Sequence, residues 1–232
     1  MSSGGSRGLT QGKGRPLVTV AVSGVSRLAE HTYEIRLQRP DGFGFLPGQK
    51  IGVVHKGNYR DYSLTGSIRD RHLSLCVRRI PGGRLSPVLA DARTGDTFQI
   101  TPAFGFFLFQ TSERIAVFVA TGTGIAPFVA FVRAGASGYY LLHGVRSANE
   151  LYYRQLLAPA AKCYRPCLTG DQKDLCRSQD FFGGRVTRFL EQQLPQGAYD
   201  FYLCGRGEML RDAMGIIDRR FAGARVFSEL FF

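Results

Sequence analysis

Short segments of alternating or β-branched hydrophobic residues fill the first half of the chain, and glycine, proline, asparagine and aspartate separate them. A period of two between apolar and polar positions is typical of half-buried strands, and the separating residues are typical of turns. The pattern predicts one short helix near 84–91 and six strands, at 17–25, 32–38, 50–55, 60–65, 72–79 and 96–101. Such a series of short strands favours a small antiparallel barrel of the Greek-key type.

The periodicity changes after Ser112. Apolar runs now alternate with stretches in which hydrophobic residues recur every three or four positions, as they do in amphipathic helices. The runs predict helices at 126–133, 149–157, 185–193 and 207–220, and strands at 115–119, 139–143, 163–168, 199–204 and 225–228. Alternation of strand and helix predicts a five-stranded, doubly wound parallel sheet with helices on both faces.

The two patterns divide the chain into two domains, with the boundary near residues 108–113. We expect a β-barrel domain at 16–111 followed by an α/β domain at 112–232, and a disordered tail at 1–15. The tail contains three basic residues and no acid, as transit peptides do, but its five glycines disfavour an amphipathic helix.

Apolar runs and cysteines limit the location and the metal content of the protein. The longest apolar run, Ile115 to Ala120, has six residues, whereas a transmembrane helix needs roughly 20. The five cysteines form no paired framework, which suits a reducing compartment. Cys163, Cys167 and Cys176 have no fourth ligand near them in sequence. We therefore expect a cytoplasmic protein without integral membrane association and without a bound metal.

The chain has a formal net charge of +12 at pH 7, which fits three different roles. A basic surface binds nucleic acid, docks an acidic protein, or serves solubility alone. The basic residues are scattered rather than collected into one long run. Composition does not choose among the three roles.

The stretch VFVATGTGIAPFVAFV, at 117–132, combines a strand, a glycine turn and a helix start. In a parallel sheet, the first strand-to-helix turn is a common phosphate site because helix N-terminal N–H groups point there. Gly122 and Gly124 would let the backbone approach a pyrophosphate, and Pro127 suits the first helical turn. The spacing G-x-G-x-x-P meets the dinucleotide fingerprint only in part, so an ordinary turn also fits it.

Four further motifs accompany this turn in a defined order. They are RDYSLTGS at 60–67, GGRLS at 82–86, HGVR at 143–146 and LCGRGEM at 203–209. Together the five motifs resemble the ferredoxin-NADP reductase superfamily, in which a flavin-binding barrel precedes a nicotinamide-binding domain. The resemblance extends over nearly the whole chain. It implies a bacterial type of reductase without a fused iron-sulfur domain, since the sequence has no plant-type cluster segment.

The resemblance implies roles for residues of the barrel. Arg60 would bind the flavin pyrophosphate through two N–H groups, Tyr62 would lie flat against the isoalloxazine, and Ser63 would hydrogen-bond near flavin N5. Backbone N–H groups and a hydroxyl would hold the flavin phosphates in the segment formed by Gly83, Arg84, Leu85 and Ser86. An ordinary strand, turn and helix cap would also account for these residues.

The resemblance implies a nicotinamide site in the second domain. Its pyrophosphate loop would be Thr121, Gly122, Thr123 and Gly124, with Thr123 near the contact of flavin and nicotinamide. Cys204 would lie near the nicotinamide C4 and Gly205 would leave room for the dinucleotide, although a buried strand-end thiol also fits Cys204. The ending SELFF resembles a family C-terminus in which an acid, Glu229, and an aromatic, Phe231 or Phe232, lie close to the flavin.

Two separate phosphate-holding segments favour FAD over FMN as the flavin. For the nicotinamide cofactor, the 2′-phosphate of NADPH needs basic partners. Arg146 and Arg185 occupy two of three positions that are basic in related NADP-dependent reductases, while Gly170 occupies the third and Arg177 could replace it. Solvated surface charges would fit the same arginines. The sequence favours NADPH, with NADH still used.

These roles predict a flavin-dependent NAD(P)H oxidoreductase with Ser63, Cys204 and Glu229 as catalytic residues. Hydride transfer to FAD would precede delivery of electrons to a separate acceptor, either an acidic carrier such as ferredoxin or flavodoxin or an oxygenase component. A free-flavin reductase has the same fold and nearly the same site, and stays open. A nucleic-acid-binding barrel would leave the five ordered motifs unexplained, so we expect no nucleic acid partner.

Overall fold

A computed structural model describes residues 15–170 and 180–231. These residues form one antiparallel and one parallel β-sheet, each with six strands. The predicted tail lies outside the described residues except for Arg15. Cys176, Arg177 and Phe232 lie outside them as well.

The antiparallel sheet comes from the first half of the chain. It consists of β1 (Val18–Ala29), β2 (Thr32–Gln38), β3 (Lys50–His55), β4 (Asn58–Ser63), β5 (His72–Arg78) and β6 (Thr97–Ile100) in the order β4-β3-β6-β1-β2-β5, with helix α1 (Ser86–Ala90) between β5 and β6. A bridge between Leu64 and Leu75 joins the two edges, so the sheet closes on itself. The predicted antiparallel barrel is confirmed.

Alternating apolar residues form the core of this barrel. Val20 and Val22 of β1 and Ile35 and Leu37 of β2 are buried inward, two residues apart on their strands, as the pleat of a strand requires. Leu85, directly before α1, closes the same core. The period of two in the sequence therefore reflects the alternation of core-facing and outward-facing side chains.

The parallel sheet comes from the second half of the chain. It consists of β7 (Ile115–Thr121), β8 (Tyr139–Val145), β9 (Ala161–Leu168), β10 (Phe182–Gly183), β11 (Tyr199–Gly205) and β12 (Arg225–Leu230) in the order β10-β9-β8-β7-β11-β12. The five predicted strands are present, and β10 adds a sixth that was not predicted. A strand of two residues is too short to leave a hydrophobic pattern in the sequence. This strand is defined by its pairing with the end of β9.

Helices cover both faces of the parallel sheet. They are α2 (Ala126–Arg133), α3 (Arg154–Ala160), α4 (Val186–Gln192) and α5 (Gly207–Arg220). On β7, Phe118 and Ala120 face one core while Val117 and Val119 face the other. Burial on both faces explains why this strand is an uninterrupted apolar run.

The predicted helix at 149–157 is wrong in its first half. A 3₁₀ turn at Ala148–Glu150 precedes α3, and Tyr153 separates the two with a left-handed backbone at φ +62°. A side chain rarely adopts this conformation without tertiary support. The Tyr153 hydroxyl donates a 2.9 Å hydrogen bond to Glu34 of β2, a contact that periodicity does not encode.

Residues 101–114 connect the two sheets and pack between them. Phe107 lies against Phe128 and Phe131 of α2. Gly48, which precedes β3 by two residues, has φ +95°. A Cβ at this position would lie 2.6 Å from the Phe131 ring. The two sheets thus share a closely packed contact, and the domain limits at 16–111 and 112–232 stay a prediction.

Candidate active site

The glycine turn follows β7 as predicted, but its two glycines have different structural reasons. Residues Gly122–Ile125 form a 3₁₀ turn that leads into α2. Gly122 has φ +53°, and a Cβ there would meet open space apart from the Tyr152 hydroxyl at 3.8 Å. A Cβ at Gly124 would overlap the backbone carbonyl of Cys204. Gly122 therefore borders free space, whereas Gly124 is required by close packing on β11.

The carboxyl ends of three parallel strands meet beside this turn. Cys204 of β11 is the register partner of Ala120 on β7 and of Glu229 on β12. Gly205 has φ +148°, and a Cβ there would overlap the Thr121 hydroxyl. The Arg206 N–H donates to that hydroxyl at 3.3 Å. Cys204 and Gly205 therefore lie directly beside the glycine turn.

The last strand reaches back to the barrel through an ion pair. The Lys50 ammonium lies 2.7 Å from a carboxylate oxygen of Glu229 and 3.6 Å from Asp61. Lys50 of β3 is the register partner of Ser63 at the end of β4. Ser63, Lys50, Glu229 and Cys204, which we call the junction site, thus come together where the two sheets meet. The sequence singled out three of these four residues and missed Lys50.

Ser63 carries a polar group without a protein partner. The residue is 3% exposed, and its hydroxyl oxygen has no hydrogen-bond partner among the described residues. Burial of an unpaired hydroxyl costs about 1–3 kcal/mol. Unsatisfied groups of this kind are rare in folded proteins unless a ligand or water completes them.

Burial and charge set the protonation states of the junction site. Burial opposes the charge of Lys50, but the hydrogen bond and charge of Glu229, helped by Asp61, outweigh it and raise the pKa of Lys50. Burial, with the negative charge of Glu229, raises the pKa of the Cys204 thiol well above its ordinary value, although the charge of Lys50 opposes this shift. Lys50 is therefore charged and Cys204 is a neutral thiol near pH 7.

Arg60 and Tyr62 point to one face of β4, since they are two residues apart. Arg60 is exposed. Tyr62 packs partly against the barrel core, and burial raises its pKa to about 12 although the nearby Arg60 charge lowers it. An exposed guanidinium beside a tyrosine ring suits an anion attached to a flat ring system.

The segment at 82–86 is more closed than the resemblance implies. The Gly83 N–H donates to the Ile80 carbonyl at 2.9 Å, and the Ser86 hydroxyl accepts the Ile80 N–H at 3.2 Å. The Leu85 side chain is buried in the barrel core. Arg84 is exposed, and the first N–H groups of a helix lack intrahelical partners. In this conformation an anion could bind Arg84 and the start of α1, but not the Gly83 N–H.

The two predicted 2′-phosphate arginines lie at one edge of the parallel sheet. Arg146 follows β8 directly, Arg185 follows β10 by two residues, and both are exposed. The last residues of β8 and β10 flank the same residue of β9, Leu168, and neighbouring strands are about 4.8 Å apart. Gly170 approaches closely, because its Cβ would lie 2.5 Å from the Arg146 carbonyl. Any side chain at position 170 would clash with this carbonyl in the present backbone.

The C-terminal aromatic residues extend β12 toward the junction site. The Phe231 N–H donates to the Gly205 carbonyl at 2.9 Å, and its side chain packs partly on the hydrophobic core. Phe227 stacks on Tyr202 with ring centroids 4.7 Å apart. Phe231 therefore lies beside the end of β11, its place near a flavin stays a prediction, and Phe232 lies outside the described residues.

His143 of β8 lies under the glycine turn and was not singled out in the sequence. It is fully buried, and its Nδ1 lies 3.1 Å from the Tyr164 hydroxyl. Burial lowers the pKa of His143 to about 4, although a backbone interaction with Gly122 opposes the shift. His143 is therefore a neutral imidazole at physiological pH, and its Nε2 has no hydrogen-bond partner among the described residues. The HGVR motif contains this residue, but the resemblance implies a role only for Arg146 of that motif.

The residues that the structure describes contain no candidate metal cluster and no candidate membrane-spanning helix. Among them no group of three or more His, Cys, Asp or Glu residues could hold a metal ion. Cys163 and Cys167 are free thiols. No helix within residues 15–170 and 180–231 is long and apolar enough to cross a membrane.

This chain is similar to known oxidoreductases and electron transfer components. The family described as oxidoreductase NAD-binding domain matches residues 118–214. The toluate 1,2-dioxygenase electron transfer component of Pseudomonas putida is 30% identical over 206 residues, which is 82% of this chain and 60% of that protein. The flavodoxin/ferredoxin-NADP reductase of Escherichia coli K12 is 26% identical, over 84% of this chain and 87% of its own length.

A solved structure shares almost the whole fold. The flavohaem-like FAD/NAD-binding domain of nitric oxide dioxygenase from Vibrio cholerae has a TM-score of 0.77 and 25% identity, and the match covers 94% of this chain and 98% of that domain. The chain thus spans about three fifths of the length of the toluate dioxygenase relative and nearly all of the Vibrio domain.

Proposed function

Since the chain belongs to the ferredoxin-NADP reductase superfamily, we propose that it is a flavin-dependent NAD(P)H oxidoreductase that passes electrons to a separate protein acceptor. The observation that carries the proposal is the junction site. Two residues of the barrel and two of the parallel sheet meet there beside the glycine turn. A site divided between two folded units suits a reaction between two bound cofactors.

The residues present fit a flavin on the barrel side. The buried Ser63 hydroxyl needs a partner, which a ring nitrogen or oxygen would supply. Tyr62 offers a ring face and Arg60 an exposed guanidinium for phosphate. When bound, a flavin accepts a hydride from a nicotinamide and releases electrons singly or in pairs.

The chain's own groups would orient the reactants and hold charge. Gly122 and the start of α2 would bind the pyrophosphate of the nicotinamide cofactor. The carboxylate of Glu229 would favour the positive charge that a nicotinamide gains as it gives up a hydride. The pKa of Cys204 is raised well above its usual value. Cys204 would therefore pack as a neutral thiol and stay uncharged near pH 7.

FAD rather than FMN is the proposed flavin. Arg60 on β4 and Arg84 beside α1 are separate exposed cations, and a dinucleotide offers two phosphates and an adenine to fill both. The Vibrio structure, which is named as an FAD/NAD-binding domain, supports this choice. For the nicotinamide cofactor we propose a preference for NADPH, because Arg146 and Arg185 face the same edge of the sheet.

The proposed acceptor is an acidic electron carrier such as a ferredoxin or flavodoxin, or an oxygenase component. The relatives support it: one is the electron transfer component of a dioxygenase and the other is named for flavodoxin and ferredoxin. The net charge of +12 would attract such a partner.

The test is cofactor content together with NAD(P)H oxidation. We expect the purified protein to be yellow, to keep its flavin through gel filtration, and to release FAD on heating, as identified by mass spectrometry. Stopped-flow mixing with NADPH under anaerobic conditions should bleach the flavin absorbance. Ser63→Ala should slow this bleaching at least about tenfold, because a hydrogen bond near the reacting atoms is lost.

The controls separate the alternatives. Ser23→Ala, on an exposed position of β1 whose hydroxyl donates to the Arg36 carbonyl, should leave the rate unchanged. Loss of all flavin on gel filtration, with catalytic reduction of added flavin, would favour a free-flavin reductase. A colourless protein that oxidises neither NADH nor NADPH with added FAD or FMN would refute the proposal.

A further inference from the structure

Lys50 is the residue of the junction site that no motif identified. Its ammonium lies 2.7 Å from Glu229 of β12, and the two residues belong to different sheets. Glu229 is 8% exposed. A carboxylate buried to this extent needs a cationic or hydrogen-bonding partner, and Lys50 provides it across the contact between the sheets.

The register of the strands places this pair between the other two residues of the site. Lys50 stands directly opposite Ser63 on the β3–β4 ladder, and Glu229 stands directly opposite Cys204 on the β11–β12 ladder. Side chains of directly opposite residues lie on one face of a sheet. The ion pair therefore connects Ser63 of the barrel to Cys204 of the parallel sheet.

Few other charges act on the pair. Asp61 of β4 lies 3.6 Å from the Lys50 ammonium. The Cys204 thiol is a titratable group that interacts with both Lys50 and Glu229. Lys50 also lies 5.5 Å above the Phe104 ring. Compared with Glu229, Asp61 lies farther from the Lys50 ammonium and is more exposed. Glu229 therefore determines where the ammonium lies.

We propose that Lys50 is a positioning residue for hydride transfer, which holds Glu229 and the end of β12 in a fixed place against Ser63. This inference rests on the proposed function. Without Lys50, Glu229 would lose its buried partner and turn toward solvent. The nicotinamide and flavin halves of the site would then no longer be held in a fixed relative position. Asp61 cannot take over this role, because it lies on the barrel side of the contact.

The first experiment tests the pair without using activity. Thermal unfolding of the cofactor-free protein is measured for the wild type, Lys50→Met, Glu229→Gln and the double variant. We expect Glu229→Gln to lower Tm in the wild-type background and to change it little in the Lys50→Met background, because contacting residues are coupled. The control cycle uses Arg79→Met and Asp91→Asn, an exposed ion pair within the barrel, which should show little coupling.

The second experiment tests the positioning role. Lys50→Met should lower kcat for NADPH oxidation at least about tenfold, with KM changed less than about threefold, since an aligned geometry rather than binding is lost. Lys50→Arg, which keeps the charge, should recover most of kcat. Glu229→Gln added to Lys50→Met should cause little further loss. Arg79→Met should behave as the wild type.

The outcomes distinguish this inference from the proposed function. If the wild type oxidises neither NADPH nor NADH, the proposed function fails, and the thermal cycle still decides whether the pair exists. If the wild type is active, then wild-type kcat in Lys50→Met would overturn the positioning role. Multiplicative rate losses for Lys50→Met and Glu229→Gln, or a change confined to KM, would overturn it as well.

Discussion

At the scale of single residues, the buried polar groups carry most of the functional information. Ser63 and His143 are both fully enclosed polar side chains, but their surroundings differ. Ser63 has no described partner for its hydroxyl, whereas His143 is bonded at Nδ1 to Tyr164 and is without a described partner at Nε2. Ser63 is therefore suited to meet a ligand, and His143 is held in place by Tyr164.

Arg60→Ala should weaken flavin binding, since a charge-assisted contact with phosphate would be lost. Such contacts contribute about 1.5–3 kcal/mol, or about 10-fold to 100-fold in Kd. Fluorescence titration of the cofactor-free protein with FAD measures the change. Arg93→Ala, at another exposed arginine of the barrel, is the matched control, and equal affinity in both variants would contradict the role of Arg60.

His143 should make the protein less stable in mild acid. Its pKa is about 4 in the folded protein and about 6.5 in an unfolded chain, so the unfolded state binds the proton first. Stability should therefore fall as pH drops from about 6.5 to about 4, by up to about 3 kcal/mol. Urea unfolding of His143→Gln should show a flatter pH dependence than the wild type. His31→Gln, at an exposed histidine, should keep the wild-type slope.

At the scale of elements, the strand ends decide what each loop can do. Four strands, β7, β8, β11 and β12, end at one edge of the parallel sheet. The glycine turn, Arg146, Cys204 and Glu229 lie at or directly after these strand ends. Parallel strands place their carboxyl ends together. Motifs that are far apart in the sequence therefore converge without any special contact between them.

Gly124→Ala should be more harmful to the fold than Gly122→Ala. A methyl group at Gly124 would overlap the Cys204 backbone, and forced overlap costs about 1–3 kcal/mol or more. At Gly122 the added methyl meets open space, so only the positive φ is strained, at about 1 kcal/mol. Thermal unfolding of both variants without cofactor gives the comparison. An equal or larger loss for Gly122→Ala would show that this packing argument is wrong.

Replacing Arg146 and Arg185 together should shift the cofactor preference toward NADH. Both arginines are exposed beside the ends of β8 and β10, where they would pair with a 2′-phosphate. We expect the ratio of kcat/KM for NADPH to that for NADH to fall at least about tenfold in the double alanine variant. Arg219→Ala on α5, whose partner is Glu191, should leave the ratio unchanged. A preference for NADH that the double change does not alter would contradict the assignment.

At the scale of the whole molecule, charge and the packing between the two sheets are the main properties. The sheets are joined by Lys50 with Glu229, by Tyr153 with Glu34, and by a 2.8 Å hydrogen bond from Arg133 to the Thr65 carbonyl. These contacts fix the junction site. The second property is the formal net charge of +12 at pH 7.

Reduction of an acidic carrier should weaken steeply as ionic strength rises. At physiological salt the screening length is about 8 Å, so attraction between docking surfaces is lost above it. Steady-state reduction of a plant-type ferredoxin is measured at increasing sodium chloride, and reduction of a neutral quinone serves as the control. A ferredoxin rate that is as indifferent to salt as the quinone rate would remove the electrostatic argument.

Most of the fold could be predicted because it is encoded locally. Helices α2 and α5 begin and end where the pattern placed them, and the change of period after Ser112 separated barrel from parallel sheet. The predictions failed where distant contacts override local preference. Tyr153 breaks a predicted helix in order to reach Glu34, and β10 exists only through its pairing with β9.

The sequence by itself determined the two periodicities, the glycine turn and the order of the five motifs, because each is a property of neighbouring residues. Only the tertiary structure decided that Gly124 is required by Cys204, that the Gly83 N–H is already bonded to Ile80, and that Lys50 pairs with Glu229. These are contacts between chain segments whose approach depends on strand order and register. No local pattern records them, since the same residues in another register would not meet.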